Sequence, residues 1–384
     1  MSTSELTLPP PLVTPPRRRR RLPMVLIGVG IVLVVAFIVA SFITVPYDEL
    51  VPGQAMAVSQ LIKVPPGKGH PLHGKVLLTD VGLIENLRLI ALLPAWLNSD
   101  AALVKTSALT GNLPEAEYND DGTIDMEESQ LTAKAVALRQ LGHPVPETDV
   151  GATIYGLLPG TPGYQVLHVG DVVTAVDGTP TPNPDALIAA IRAHDPGQTI
   201  TMQVGSIAHP SPGRTVSLRL ATGHDGGNVV PLVGIVYMGT QPEYRFPFAI
   251  SINSDQIGGP SAGLAWTLGI INTLSGGHLT GGRSIAATGT IRPDGSVGDV
   301  GGVAQKTVAV ERAGATVFIV PQIELAVARS KATPNLKVFG VTSLGQAMRD
   351  LQSLGGRLGS AATGPPPGPN GHSVPNDWQD SPWS

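Results

Sequence analysis

The chain has 384 residues, too many for one compact domain, and its 42% apolar content can fill a sizeable core. It contains no cysteine, which excludes disulfide frameworks, zinc–thiolate sites and cysteine nucleophiles. Its net charge of −4 is uneven: beyond Glu5 and the run Arg17 to Arg21, 20 basic residues face 28 acidic ones, an acidic body unsuited to nucleic acid.

Residues 1–21 are rich in proline and arginine and are predicted to be a disordered basic tail. From Met24 to Val45 there follow 22 residues without a charge. At ~1.5 Å per residue such a helix spans a hydrocarbon core of ~30 Å. Residues 22–45 are therefore expected to be a single transmembrane anchor in the cell membrane. The arginines before it keep the N-terminus cytoplasmic, and the body lies outside. A cleaved signal peptide is the competing reading, but the run is longer than its usual apolar segment and no Ala-x-Ala site follows.

Residues 46–140 read as a mixed extracytoplasmic segment, with a strand at Lys75–Thr79 and helices at Glu85–Trp96 and Met126–Leu141. Within it, Glu117 to Glu128 approaches the spacing of a calcium-binding loop. Glu replaces Asp at its first position, and Pro114 leaves little room for a preceding helix. The stretch is read as an acidic surface turn, and no metal is expected. Residues 141–225 form a Gly- and Pro-rich module of short strands with one helix, Pro184–Ala193.

Residues 226–360 alternate strands and helices. Strands are predicted at Val229–Met238, Phe248–Asn253, Ser284–Ile291, Thr316–Val320 and Lys337–Phe339. Helices are predicted at Pro260–Leu274, Val303–Ala313, Ile323–Ser330 and Ser343–Leu354. Residues 361–384 are a Pro/Gly tail without periodicity. The whole is predicted to be an α+β multidomain chain.

Two stretches carry chemistry. In Gly258-Gly259-Pro260-Ser261-Ala262-Gly263, Gly259 and Pro260 shape a sharp turn that puts Ser261 at a helix start. Free N–H groups there favour a developing oxyanion, although serine is also a common helix cap. In the helix after Gly301-Gly302, Val303, Lys306, Val310 and Ala313 share one apolar face. A lysine there either carries its ammonium out to solvent or is desolvated into a neutral base for a serine hydroxyl. Asp255, near Ser261, reads as a solvated loop acid, and the histidines form no metal-ligand pair.

Together these stretches resemble the proteolytic domain of the Lon proteases. There Pro-Ser-Ala-Gly carries the nucleophile and the lysine of a Gly-Gly-x-x-x-Lys helix is its partner. Ala287-Thr288-Gly289-Thr290-Ile291 is similar to the family's Thr-Gly-x-Ile strand, which implies Thr288 as a support for Lys306. Gly151–Pro162 and Val169–Gly178 look like a bacterial PDZ domain, whose groove would be bordered by the helix Pro184–Ala193. Leu141-Gly142 is the candidate for its carboxylate-binding loop. The layout resembles the membrane-anchored PDZ–Lon proteins of Gram-positive bacteria.

The resemblance implies an endopeptidase with polypeptide substrates, no cofactor and, since Lon-type domains tend to form rings, a homo-oligomer. No ATPase module precedes the protease region, and GGVAQKT lacks the glycine that a phosphate loop has before its lysine, so ATP independence is expected. The rival reading is a non-catalytic membrane scaffold whose PDZ binds a partner.

Overall fold

The computed structural model describes residues 21–110, 115–211, 213–254 and 257–359. The basic tail before Arg21, Asp255 and the Pro/Gly tail lie outside them. Helix α1 (Arg21–Ala40) is 20 residues long. It stops short of Val45 because the chain turns at Ser41, and Val45 then donates a backbone hydrogen bond to Leu87. Ile43 to Val45 thus belong to the body, not to the apolar helix. Among the described residues no helix is long and apolar enough to cross a membrane.

The next stretch supplies β1 (Tyr47–Ala57), β2 (Ile62–Lys63), β3 (Lys75–Ile84), α2 (Leu92–Leu97), β4 (Ala102–Lys105), α3 (Thr106–Thr110) and α4 (Glu115–Gln140). Helix α4 runs straight through the acidic stretch from Glu117 to Glu128. A surface turn was expected there; helical backbone pairing takes its place, which leaves no calcium-loop geometry.

The middle stretch supplies β5 (Glu147–Leu157), β6 (Asp171–Val176), β7 (Thr179–Pro180), α5 (Pro184–Arg192), β8 (Thr199–Ser206) and β9 (Arg214–Arg219). The hairpin β10 (Ala221–Asp225) and β11 (Asn228–Leu232) leads into β12 (Ile235–Tyr244). These strands form an antiparallel sheet in the order β12-β5-β6-β8-β9, with β7 on β6. The strand expected over Val229–Met238 is therefore two, and its second half belongs to this sheet. Ile154, Val173, Leu187, Ile200 and Met202 fill its own core.

The remainder supplies β13 (Ser251–Ile252), α6 (Gly263–Leu274), β14 (Ser284–Ala287), β15 (Thr290–Ile291), β16 (Val297–Gly298), α7 (Val303–Arg312), β17 (Val317–Pro321), α8 (Leu325–Lys331), β18 (Lys337–Val341) and α9 (Leu344–Ser353). Three of these strands join three from the first stretch in one sheet, β18-β17-β14-β3-β1-β4. Strands β18, β17, β14 and β3 run parallel, and β1 is antiparallel to β3 and β4. Residues 46–140, expected to stand apart, thus share a sheet with residues 226–360.

Strand alternation gives this sheet two buried faces. Leu78, Ile285 and Ile319 meet Leu138 of α4 and Trp266 and Leu268 of α6. Leu77, Ala286 and Phe318 meet Val303 and Val310 of α7 on the other face. Ser261 leads into the helix on one face and Lys306 lies on the helix of the other, so the two layers must converge at a strand end.

Candidate active site

Gly259 has φ +81°, a left-handed conformation that glycine adopts without strain. Pro260 then opens a tight helical turn, Pro260–Ala262, that runs into α6. This turn replaces the first turn of the α-helix expected from Pro260 onward. Helix α4 holds it on both sides of the bend. The Gly259 N–H donates to the Gly122 carbonyl at 2.7 Å, and the Ser129 hydroxyl donates to the Pro260 carbonyl at 3.2 Å.

The predicted strand Ser284–Ile291 breaks after Ala287, and the break holds Thr288 at the carboxyl end of β14. Thr288 is fully buried, and its hydroxyl donates to the Ser261 carbonyl at 3.2 Å. The Gly289 N–H donates to the same carbonyl at 2.9 Å. The Lys306 ammonium in turn donates to the Thr288 hydroxyl at 3.3 Å. Thr288 thereby links the Lys306 amine to the backbone carbonyl of Ser261.

Lys306 is 3% exposed, so its side chain does not reach solvent. Gly302, at φ +67°, starts α7 and lets the helix lie against β3: a Cβ there would sit 2.6 Å from Val81 Cγ2. Val303 and Val310 are buried beside the lysine, while Ala313, expected on the same face, is exposed beyond the last turn. Burial lowers the Lys306 pKa to about 8, against the pull of the Glu324 and Asp80 carboxylates, which raise it. An amine of that pKa has a substantial neutral fraction near pH 8 and can accept a proton.

A cleft of about 340 Å³ lies beside the serine turn, between α4 and the segment leading to Gly258. Met126, Glu127, Gln130, Ile252 and Ile257 line it. A larger hollow of about 490 Å³ lies between α8 and β18, and neither space is lined by Ser261, Thr288 or Lys306.

Leu141 and Gly142 do not form a peptide-end loop. The Gly142 N–H donates to Arg139 and the His143 N–H to Leu138, which closes α4, and Leu141 is buried in the main core. The edges of the middle sheet are β12 and β9; on the β12 edge Val236 and Tyr237 are exposed and α5 packs against it. Val233-Gly234-Ile235 enters that edge.

Residues 254–346 match the Lon protease (S16) C-terminal proteolytic domain. The chain is 32% identical over 93 residues to a Lon protease of Chloroflexus aggregans, covering 23% of this chain and 11% of that protein. The chain therefore spans about a tenth of that relative's length. Among solved structures it is similar to the PDZ domain of an SdrC-like protein from Listeria monocytogenes, at 23% identity and a TM-score of 0.20, over 22% of this chain and 85% of that one. The corresponding domain from Listeria innocua is 24% identical at a TM-score of 0.20, over 22% and 91%.

Proposed function

With residues 254–346 a Lon-type serine-peptidase domain, we propose that the chain is a membrane-anchored, ATP-independent endopeptidase that cleaves polypeptides outside the cytoplasm. The observation that carries this reading is the buried Lys306 amine on Thr288, whose hydroxyl holds the carbonyl of Ser261. In the reaction, the Ser261 oxygen bonds to the scissile carbonyl carbon and its proton passes to neutral Lys306. Backbone N–H groups near Ser261 hold the oxyanion. Collapse breaks the peptide bond, Lys306 returns the proton to the leaving amine, and water then frees the acyl group from Ser261 by the same relay.

The anchoring part of the reading is supported by α1, whose apolar side chains stand in the open, Leu33 and Phe37 each 64% exposed. A helix apolar all round calls for a lipid or protein surround. ATP independence is supported by the place of GGVAQKT: its lysine is buried against Thr288 and cannot reach a phosphate. A PDZ-type role for the middle sheet is supported by the open edge of β12, where an extended peptide can add as a strand beside α5.

The test is casein cleavage by the full chain in detergent, without nucleotide. Wild type should cleave unfolded casein and Ser261→Ala should not. Equal cleavage by the two proteins would remove Ser261 from the mechanism, and dependence on added ATP would overturn the energy-free reading.

A further inference from the structure

The proton relay above leaves unused a half-buried acid, Glu324, beside the lysine helix. Glu324 ends the tight turn Gln322–Glu324 that joins β17 to α8, and α8 packs against α7. Its Oε1 accepts the Val300 N–H at 2.8 Å, just before the Gly301-Gly302 start of the lysine helix. Its Oε2 is buried and has no hydrogen-bond partner. A carboxylate left half-satisfied is costly unless a charge or a proton compensates it. The start of α7 offers positive dipole, and Lys306, whose backbone N–H donates to the Gly302 carbonyl at 2.9 Å, carries its amine one turn into that helix.

Resting on the Ser–Lys reading, we propose that Glu324 is a positioning residue whose carboxylate sets the charge of Lys306 and so the pH at which Ser261 is activated. The carboxylates of Glu324, in the turn before α8, and of Asp80, on β3, both favour the lysine's charged form, and Asp299 acts on Glu324. Strand β17 carries no charge. The acids of β1, Asp48 and Glu49, pair with β4, away from the Ala55 and Ala57 end that packs on α7. On α8, Arg329 reaches the Val338 carbonyl and Lys331 the Ser99 carbonyl. Burial raises the Glu324 carboxyl to about 7, close below the lysine, so the two share a narrow pH range. An ionised Glu324 favours the ammonium and delays the neutral base; removing its charge should advance it.

The experiment uses the full chain in detergent with lysines labelled at Cε, and Lys306→Met assigns the Lys306 signal. In wild type this signal should titrate near pH 8. In Glu324→Gln, which keeps an acceptor for Val300, its midpoint should fall by ~0.5–1 unit, and the rising limb of kcat/KM should move with it. A smaller fall is expected for Glu324→Asp, which withdraws the charge and serves if the glutamine variant does not fold. Unchanged midpoints in the folded variants would overturn the proposal. The titration needs no turnover: an inactive wild type would sink the peptidase reading and still leave this inference tested.

Discussion

The middle sheet takes all its strands from one stretch, Glu147 to Tyr244, whereas the other six-stranded sheet takes three from Tyr47–Lys105 and three from Ser284–Val341. The first has its own core around Ile154 and Leu187, and its edge strand β12 pairs with β5 alone. The second is covered on both faces, and its chemistry sits where the two coverings meet. A contiguous sheet can supply binding as a separable unit. A sheet closed by distant strands can supply something else: a place dry enough to alter the acidity of a lysine. Lys306 is buried partly because β1 and β3, from early in the chain, lie under its helix.

That contrast is sharpest at the dyad, where the largest effect is expected. Ser261→Ala should lower kcat/KM on a peptide substrate on the order of 10⁴-fold or more while leaving the melting temperature near wild type. Lys306→Arg should be equally inactive, because a guanidinium does not deprotonate in proteins. Peptide hydrolysis and a thermal melt on each purified variant check both statements. An active arginine variant would make the lysine a charged structural residue.

Replacing residues 147–244 with a flexible linker asks whether the two sheets are separable. Cleavage of a short generic peptide should survive, and cleavage of protein substrates that dock on the middle sheet should slow by ~10- to 100-fold, the loss expected when binding is no longer intramolecular. Loss of folding would show that the two sheets are one unit. Deleting residues 47–105 should instead abolish the fold, because it removes half of the other sheet.

The buried lysine also predicts a pH dependence of stability. Its pKa is about 8 in the folded chain against the ordinary 10.5, so between these values the unfolded chain binds more protons. Stability should therefore rise with pH from about 8 to about 10.5, by on the order of 2–3 kcal/mol, and the penalty is present in full below that window. Urea denaturation at pH 7.5, 9 and 10.5 measures it. Lys306→Met should flatten this rise, and a rise of equal size in that variant would assign it to another group.

The smallest expected effect is at the contact between the two sheets' supports. Tyr155 of β5 donates to the Glu128 carboxylate on α4, the same helix that holds the Ser261 turn. Tyr155→Phe should destabilise by about 1 kcal/mol in urea and leave the dyad's pH profile in place. A shifted profile would mean that the middle sheet reaches the dyad through α4.

By itself the sequence determined most of the elements around Ser261, Thr288 and Lys306 and singled out those three residues. Helical spacing placed α6, α7 and α9 within a few residues, since an apolar face repeats along the chain whatever it packs against. It also exposed Lys306 as a lysine among valines. Only the tertiary structure decided what covers that face. The strands that bury Lys306, and α4 that grips the Ser261 turn, come from a region whose sequence pattern carries no mark of its partner. A peptide-end loop assigned to Leu141-Gly142 turned out to be a helix cap for the same reason: a glycine reports a backbone bend, and the partner across the bend fixes its meaning. Glu324 was invisible too, because an acid before a helix reads as solvated until one of its carboxylate oxygens is found buried and the other on the Val300 N–H, ahead of the lysine helix.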